Sequence, residues 1–235
     1  MSHINKKRPN TRMAIVRLAA HLFIEEGYTK TSLSGIAKTL DLSTGNITFY
    51  FPTKEHLLSV LVDELFDFQN LVMEKEVAEG KSSLLAYCLE LTAMAAVCEE
   101  SEVARDFYAA TYASPHTLAL VRENDTEKTR TVFSEYCPLW TDADWVATEN
   151  VVSGIEYATI MTREENTPLP VQIEKTLDTI LYLYGVPREV RKMKIEKVLA
   201  MDYRALGHRI LVEFRDYIER VNEEDLKKSK KRTKK

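Results

Sequence analysis

The chain reads as an all-α protein, and its composition and apolar spacing carry that reading. Its 235 residues include only seven Gly and seven Pro. Ala, Leu, Glu and Lys dominate, and alternating runs of β-branched residues are few. Apolar residues recur instead at intervals of three and four, which gathers them on one face of a helix.

Residues 1 to 10 are polar. A first helix follows with Ile15, Leu18, Ala19, Leu22 and Phe23 on one face, and Gly27 suits its C-cap. Residues 31 to 58 read as two short helices around a tight turn, then the start of a long third helix. Ile36, Ala37 and Leu40 form the apolar face of the first piece. Thr31 or Ser32 caps its start, and the chain breaks at Asp41 and Leu42. Ser43 offers an N-cap to a helix of barely two turns, with Thr44, Gly45 and Asn46 where backbone N–H groups are unpaired. That is a helix-turn-helix, which sets the N-terminal residues of its second helix against base edges.

Pro52 enters and Thr53 caps a helix of about 25 residues through Leu57, Leu61, Leu65, Phe68 and Val72, long enough to join a head to a body. Gly80 to Ser83 marks the boundary. The expected organisation is a DNA-binding head at 1–60 linked by the long helix to about 78, a helical body at 80–226, and a basic tail at 227–235. The body reads as helices over 84–99, 102–113 and from Ser114-Pro115 to about Tyr136. A break at 137–141 precedes a helix capped by Asp142 that carries Val146, Val151, Ile155, Ala158 and Met161. Pro168 and Pro170 punctuate before a helix at 171–184. Gly185-Val186-Pro187 ends it, and one amphipathic stretch runs from about Arg188 to Leu226. The lysine-rich end is low in complexity.

The head resembles the TetR-like family of one-component bacterial transcription regulators over roughly residues 11 to 60. The likeness rests on Ala19, Ala20, Leu22, Phe23 and Gly27-Tyr28, then on Thr31-Ser32, Ile36-Ala37, Ser43, Gly45, Phe51, Pro52, Lys54, Glu55 and Leu57-Leu58. The family often has a Tyr where this chain has Thr48, and a His or Tyr where it has Tyr50. The resemblance implies a regulator that binds a palindromic duplex as a homodimer, with late helices making a four-helix interface. The residues expected to face DNA are Ser43, Thr44, Gly45, Asn46, Thr48, Phe49, Tyr50 and Lys54. Thr31 or Ser32 and the arm Lys6, Lys7, Arg8 are expected on phosphates. Asn46 is the expected base reader, because one amide can bond two edge groups.

A net charge of −4 conceals segregation. Residues 1 to 54 hold eight basic residues against three acidic ones, and 227–235 hold seven basic and none acidic, so the body is strongly acidic. A basic head on an acidic body confines nucleic-acid contact to one end. Cys88, Cys98 and Cys137 lie in apolar helical surroundings without CxxC spacing, as buried reduced thiols do. No apolar run approaches the roughly 20 residues of a membrane span, so a cytoplasmic protein without membrane contact is expected.

Enzyme chemistry is not expected. No two glycines lie closer than eight residues apart, which excludes a GxGxxG or Walker loop, and no GxSxG elbow occurs. The five His are scattered without metal-ligand spacing, so neither metal nor cofactor is expected. The body instead holds Tyr87, Met94, Phe107, Tyr108, Tyr112, Trp140, Trp145, Tyr157 and Met161, with Arg105 and His116 as polar handles. Such side chains between helices suit a mostly apolar pocket for a small hydrophobic effector. Val151, Val152, Ile155 and Thr159, with Ile173, Leu177, Ile180, Leu181 and Tyr184, give the apolar stripes expected to form the dimer. A repressor released from its operator by such an effector is the expectation. The alternative is a DNA-bound adaptor whose helical body recruits a protein and takes no small ligand.

Overall fold

Side-chain caps decide where the head's helices begin. A computed structural model describes residues 11–77, 80, 83–162 and 167–221. The arm at Lys6, Lys7 and Arg8 and the basic run at 227–235 lie outside the described residues. Helix α1 (Thr11–Glu25) is closed by the Leu22 carbonyl, which accepts from Gly27 N–H at 3.1 Å, and Gly27 has φ +103°. Ser32 caps α2 (Leu33–Thr39) by accepting from Gly35 N–H, so Ser32 rather than Thr31 fills that role. Between α2 and α3 (Thr44–Tyr50), Asp41 takes φ 53° and Leu42 N–H returns to Ala37 O at 2.9 Å. This six-to-one bond closes the turn and ends α2 within one residue. Ser43 then caps α3 through Asn46 N–H, and Thr53 caps α4 (Lys54–Glu76) through His56 N–H.

The body is built around α5 (Leu84–Glu100), which is buried along almost its whole length. Packed on it are α6 (Glu102–Ala113), α8 (Asp142–Met161), α9 (Leu169–Leu183), α10 (Arg188–Leu199) and α11 (Tyr203–Arg220), while α7 (Pro115–Phe133) lies mainly across α4, α6 and α8. The stretch from Arg188 expected as one helix is two. Asp202 accepts from Ala205 N–H and restarts the helix, and the turn lets α10 rest on α9 while α11 crosses α5. The cap of α8 is Thr141 rather than Asp142. Thr141 and Asp144 form a reciprocal capping box, with Thr141 N–H donating to Asp144 at 2.8 Å. Among the described residues no helix is long and apolar enough to cross a membrane.

Head and body share one apolar core running from Ile15 to Ile218. Helix α1 lies on α4, α6 and α11. At its end Thr29 N–H donates to Asp106 of α6 at 2.7 Å and the Thr29 hydroxyl donates to the other carboxylate oxygen. Arg17 donates to Val221 O at 3.1 Å, and Arg215 pairs with Glu25.

The α5–α11 crossing is set by Gly207. A methyl group there would lie 2.4 Å from Ala93 O, a backbone atom with no room to move. Gly207→Ala is expected to cost about 1–3 kcal/mol by overpacking, read from the midpoint of chemical denaturation. An unchanged midpoint would show that the two helices do not approach this closely.

Candidate functional site

The solvent face of the head is α3 and its flanks. Ser43, Thr44, Gly45, Asn46, Phe49 and Tyr50 are exposed, while only Ile47 of this helix is buried. Phe49 is 80% exposed, an apolar group held in water with its ring edge-on to that of Tyr50 at 5.1 Å between centroids. Ser32 and Ser34 stand exposed at the start of α2, their hydroxyls 3.1 Å apart. Polar groups at one helix start and a bare two-turn helix beside it suit phosphate positioning and base-edge contact.

Three of the expected DNA-facing side chains are turned inward. Thr31 is buried and its hydroxyl donates to Gly27 O at 2.8 Å. Lys54 donates to Tyr28 O at 2.9 Å and Thr31 O at 3.0 Å, with its ammonium 4.0 Å from the centre of the Tyr28 ring. It ties the α1–α2 loop to α4, and partial burial lowers its pKa. Thr48 is half-buried and its hydroxyl donates to Gly45 O at 3.3 Å.

The body holds a cavity of about 50 Å³ enclosed by α4, α5, α6, α7 and α8. Its wall is apolar at Val62, Leu65, Leu91 and Met94, but Glu90, Asp125, Lys128 and Glu156 also line it. This cavity is smaller and more charged than the expected apolar pocket, since drug-sized ligands occupy roughly 300–1,000 Å³, while a second hollow of about 300 Å³ lies against Tyr112, Leu118 and Tyr157. Tyr87, Met94, Tyr108 and Tyr112 line the smaller cavity as expected. Phe107 packs edge-on beneath Tyr108, and Met161 packs on the core elsewhere. Trp140 and Trp145 cover Tyr184, and Tyr157 lies on the surface side of Tyr112. The two handles are elsewhere as well. Arg105 pairs with Glu102 and donates to Cys98 O, while His116 lies over His56 with ring centroids 5.2 Å apart.

Behind the cavity the structure assembles a polar cluster that the sequence did not announce. Tyr87 and Tyr112 donate to the two oxygens of Glu156 at 3.3 and 3.0 Å, and Tyr184 donates to Glu149 Oε2 at 3.0 Å. Lys128 pairs with Glu90. Burial, then the charge of Asp125, pushes Glu156 up to about 8 and Glu149 to about 10. Asp125 itself rises to about 6, through burial first and with Lys128 pulling the other way. The legible signal was on α8: Glu149 and Glu156 share a face with Val152 and Ile160. All three cysteines are free and buried, and burial raises Cys88 and Cys98 to about 12.

Most residues expected at the dimer interface serve the protomer's own core. Val152, Ile173, Leu177, Ile180, Leu181 and Tyr184 are fully buried, and Thr159 is buried with its hydroxyl 2.9 Å from that of Thr176. Ile155 is half-buried, and Val151 alone of the set is exposed. The apolar surface that α8 presents to solvent is instead Ala143, Val146, Ala147, Val151, Gly154, Tyr157 and Ala158. It recurs at helical spacing opposite the buried face, and Val171 and Tyr182 are likewise exposed on α9.

Residues 15–61, the whole helix-turn-helix and the start of α4, match the family model of bacterial regulatory proteins, tetR family. A curated relative described as the uncharacterized HTH-type transcriptional regulator YuxN of Bacillus subtilis (strain 168) is 35% identical over 82 residues, 34% of this chain and 28% of its own length. The probable HTH-type transcriptional regulator YttP of the same organism is 32% identical over 65 residues, 28% of this chain and 31% of its own length. The matched stretches thus span about a third or less of those proteins. Among solved structures, a gamma-butyrolactone receptor (ArpA like protein) is 22% identical with a TM-score of 0.40, covering 87% of this chain and 97% of its own. Salmonella enterica GusR is 23% identical with a TM-score of 0.40, covering 85% and 100%. Residues 15–61 thus resemble the helix-turn-helix of the tetR family of bacterial regulatory proteins.

Asn46→Ala is expected to cost roughly 1–3 kcal/mol on the preferred duplex and little on random DNA. Lys54→Ala is expected to lower the head's stability and leave the salt slope of DNA binding nearly unchanged, which a salt titration of affinity and a melting curve separate. In a buffer without multivalent cations, stability is expected to fall as pH rises from about 5 towards 8. Glu149 and Glu156 hold protons in the fold that the unfolded chain releases near its ordinary carboxylate pKa, so the native state binds more protons across that window. Glu149→Gln should flatten the fall, and an unchanged slope would place Glu149 in contact with water.

Proposed function

We propose that the protein is a homodimeric repressor that reads a palindromic operator with α3 and is released from it by a ligand held in the body. The observation that carries the reading is the continuity of α4. Its first turn holds the head together through Lys54, Leu57 and Leu58, and further along the same helix Val62, Leu65, Phe66 and Gln69 wall the cavity. A ligand that moves those residues moves the base of the helix-turn-helix. If it favours a state with the wrong head spacing it lowers operator affinity, and DNA lowers its affinity by the same factor.

A second copy of this chain fits the outward face of α8. One helix-turn-helix contacts too few base pairs for a unique site, and a two-fold dimer doubles the site. Exposed Val146, Val151 and Ala158 surround Gly154, where an added Cβ would meet nothing within 4 Å among the described residues beyond its own helix, so another helix can approach closely.

Selection of duplexes from a random pool tests the reading. A symmetric consensus should emerge, and sedimentation should give about twice 27 kDa. Gly154→Leu together with Val151→Glu adds bulk and charge where the protomer has open space. It is expected to give folded monomers that bind the half-site only weakly. A double variant that remains dimeric would move the interface elsewhere.

A further inference from the structure

Between α7 and α8 lies a group of buried and half-buried acids whose charge the described residues do not balance. Asp125, Glu149 and Glu156 each bring a carboxylate oxygen to within 4.8 Å of the others. Both oxygens of Glu156 and one of Glu149 accept from phenols, but among the described residues Glu149 Oε1 has no hydrogen-bond partner, although the residue is only 1% exposed. A buried oxygen without a donor costs free energy unless something else meets it. Four acids, Glu90, Asp125, Glu149 and Glu156, face two cationic side chains. Lys128 is paired with Glu90, and Arg122 donates its Nε to Ser153 at 3.0 Å. Fully ionised, the cluster has an excess of two negative charges.

We propose that Asp125, Glu149 and Glu156 form a binding site for one divalent, oxygen-preferring metal cation such as Mg²⁺, Mn²⁺ or Ca²⁺. The spacing fits, because an ion with bonds of roughly 2.0–2.6 Å sets its ligand oxygens about 3 to 5 Å apart. The charge fits, since one such ion cancels the excess. The space fits too: the adjoining cavity of about 50 Å³, lined by Asp125 and Glu156, has room for the waters that complete the shell. Tyr87, Tyr112 and Tyr184 orient the carboxylates from outside, as partners of metal ligands commonly do. In the ion's absence protons take its place, so binding releases protons.

The role of this site in DNA release rests on the function proposed above. Asp125 lies on α7, which packs on α4, and the His116 ring at the start of α7 sits 5.2 Å from that of His56 in the first turn of α4, the planes tilted by 38°. Drawing Asp125 towards α8 therefore shifts a helix that rests on the base of the head.

The full-length chain, stripped with a chelator, is titrated separately with Mg²⁺, Mn²⁺ and Ca²⁺ by calorimetry in two buffers of different ionisation enthalpy. Fluorescence of Trp145, whose ring lies 6.1 Å from Tyr184, is followed in parallel. One equivalent is expected to bind with proton release. Glu149→Gln and Asp125→Asn are each expected to weaken it at least tenfold with the fold retained by circular dichroism, while the exposed Glu127→Gln binds as the parent does. Absence of uptake at millimolar ion by the folded parent, or uptake unaltered in both variants, overturns the site. So does a Glu149-dependent response to putrescine or spermidine in the chelated protein, which would make the ligand an organic cation. Operator affinity measured with and without ion separates the two claims. Ion binding that leaves DNA affinity unchanged supports the site and refutes its effector role, whereas no ion binding with release by another compound refutes the site and spares the regulator.

Discussion

Everything in this protein turns on α4 being buried at both ends by different partners. Leu57, Leu58 and Leu61 are sealed beneath the head, and Phe68, Val72 and Met73 are sealed in the body. A helix of 23 residues without an internal Gly or Pro transmits displacement along its axis rather than absorbing it. The head is also fastened at a second point, where Asp106 holds Thr29 and sits 2.9 Å from where a Gly27 Cβ would be. Those two attachments fix the recognition helix relative to α6 and α7, so the body's packing sets the direction in which α3 points.

The head was legible because its rules are local. Ser32, Ser43 and Thr53 each cap the helix that follows within three residues, and such bonds are read from spacing alone. What spacing could not give was the direction of long side chains. Lys54 follows a cap and reads as a surface cation, yet its stem carries the ammonium back over Tyr28 to carbonyls more than twenty residues earlier in the chain. The break between α10 and α11 was missed for a related reason. Asp202 is a cap without a Gly or Pro beside it, and only the crossing of α11 over α5 shows why the chain stops there.

The body was legible as helices but not as surfaces. Periodicity says that Ile173, Leu177 and Ile180 share a face; whether that face meets its own chain or another is a tertiary fact, and here it meets α5, α8 and α10. The buried acids were obscured by the converse assumption. Acidic residues on helices are ordinarily solvated, so spacing alone does not single out Glu149 and Glu156, although they lie seven residues apart among Val152, Ser153 and Ile160.

Helix α8 therefore has two unlike faces whose demands conflict. Its inner face holds acids that are costly to bury, and its outer face exposes small apolar residues that gain by being covered. On the proposed function, a cation or a shared proton that draws the inner carboxylates together would shift the helix. The outer face shifts with it, since a helix of 20 residues behaves as a rod. The same displacement presses on α7 and, through it, on α4. In a two-fold dimer the head-to-head spacing depends on both the α8 contact and the α4 tilt, so one event at the buried acids acts on that spacing by two routes. Coupling of this kind needs no contact between the ligand and the recognition helix, only two states of α8 that the buried charge prefers unequally.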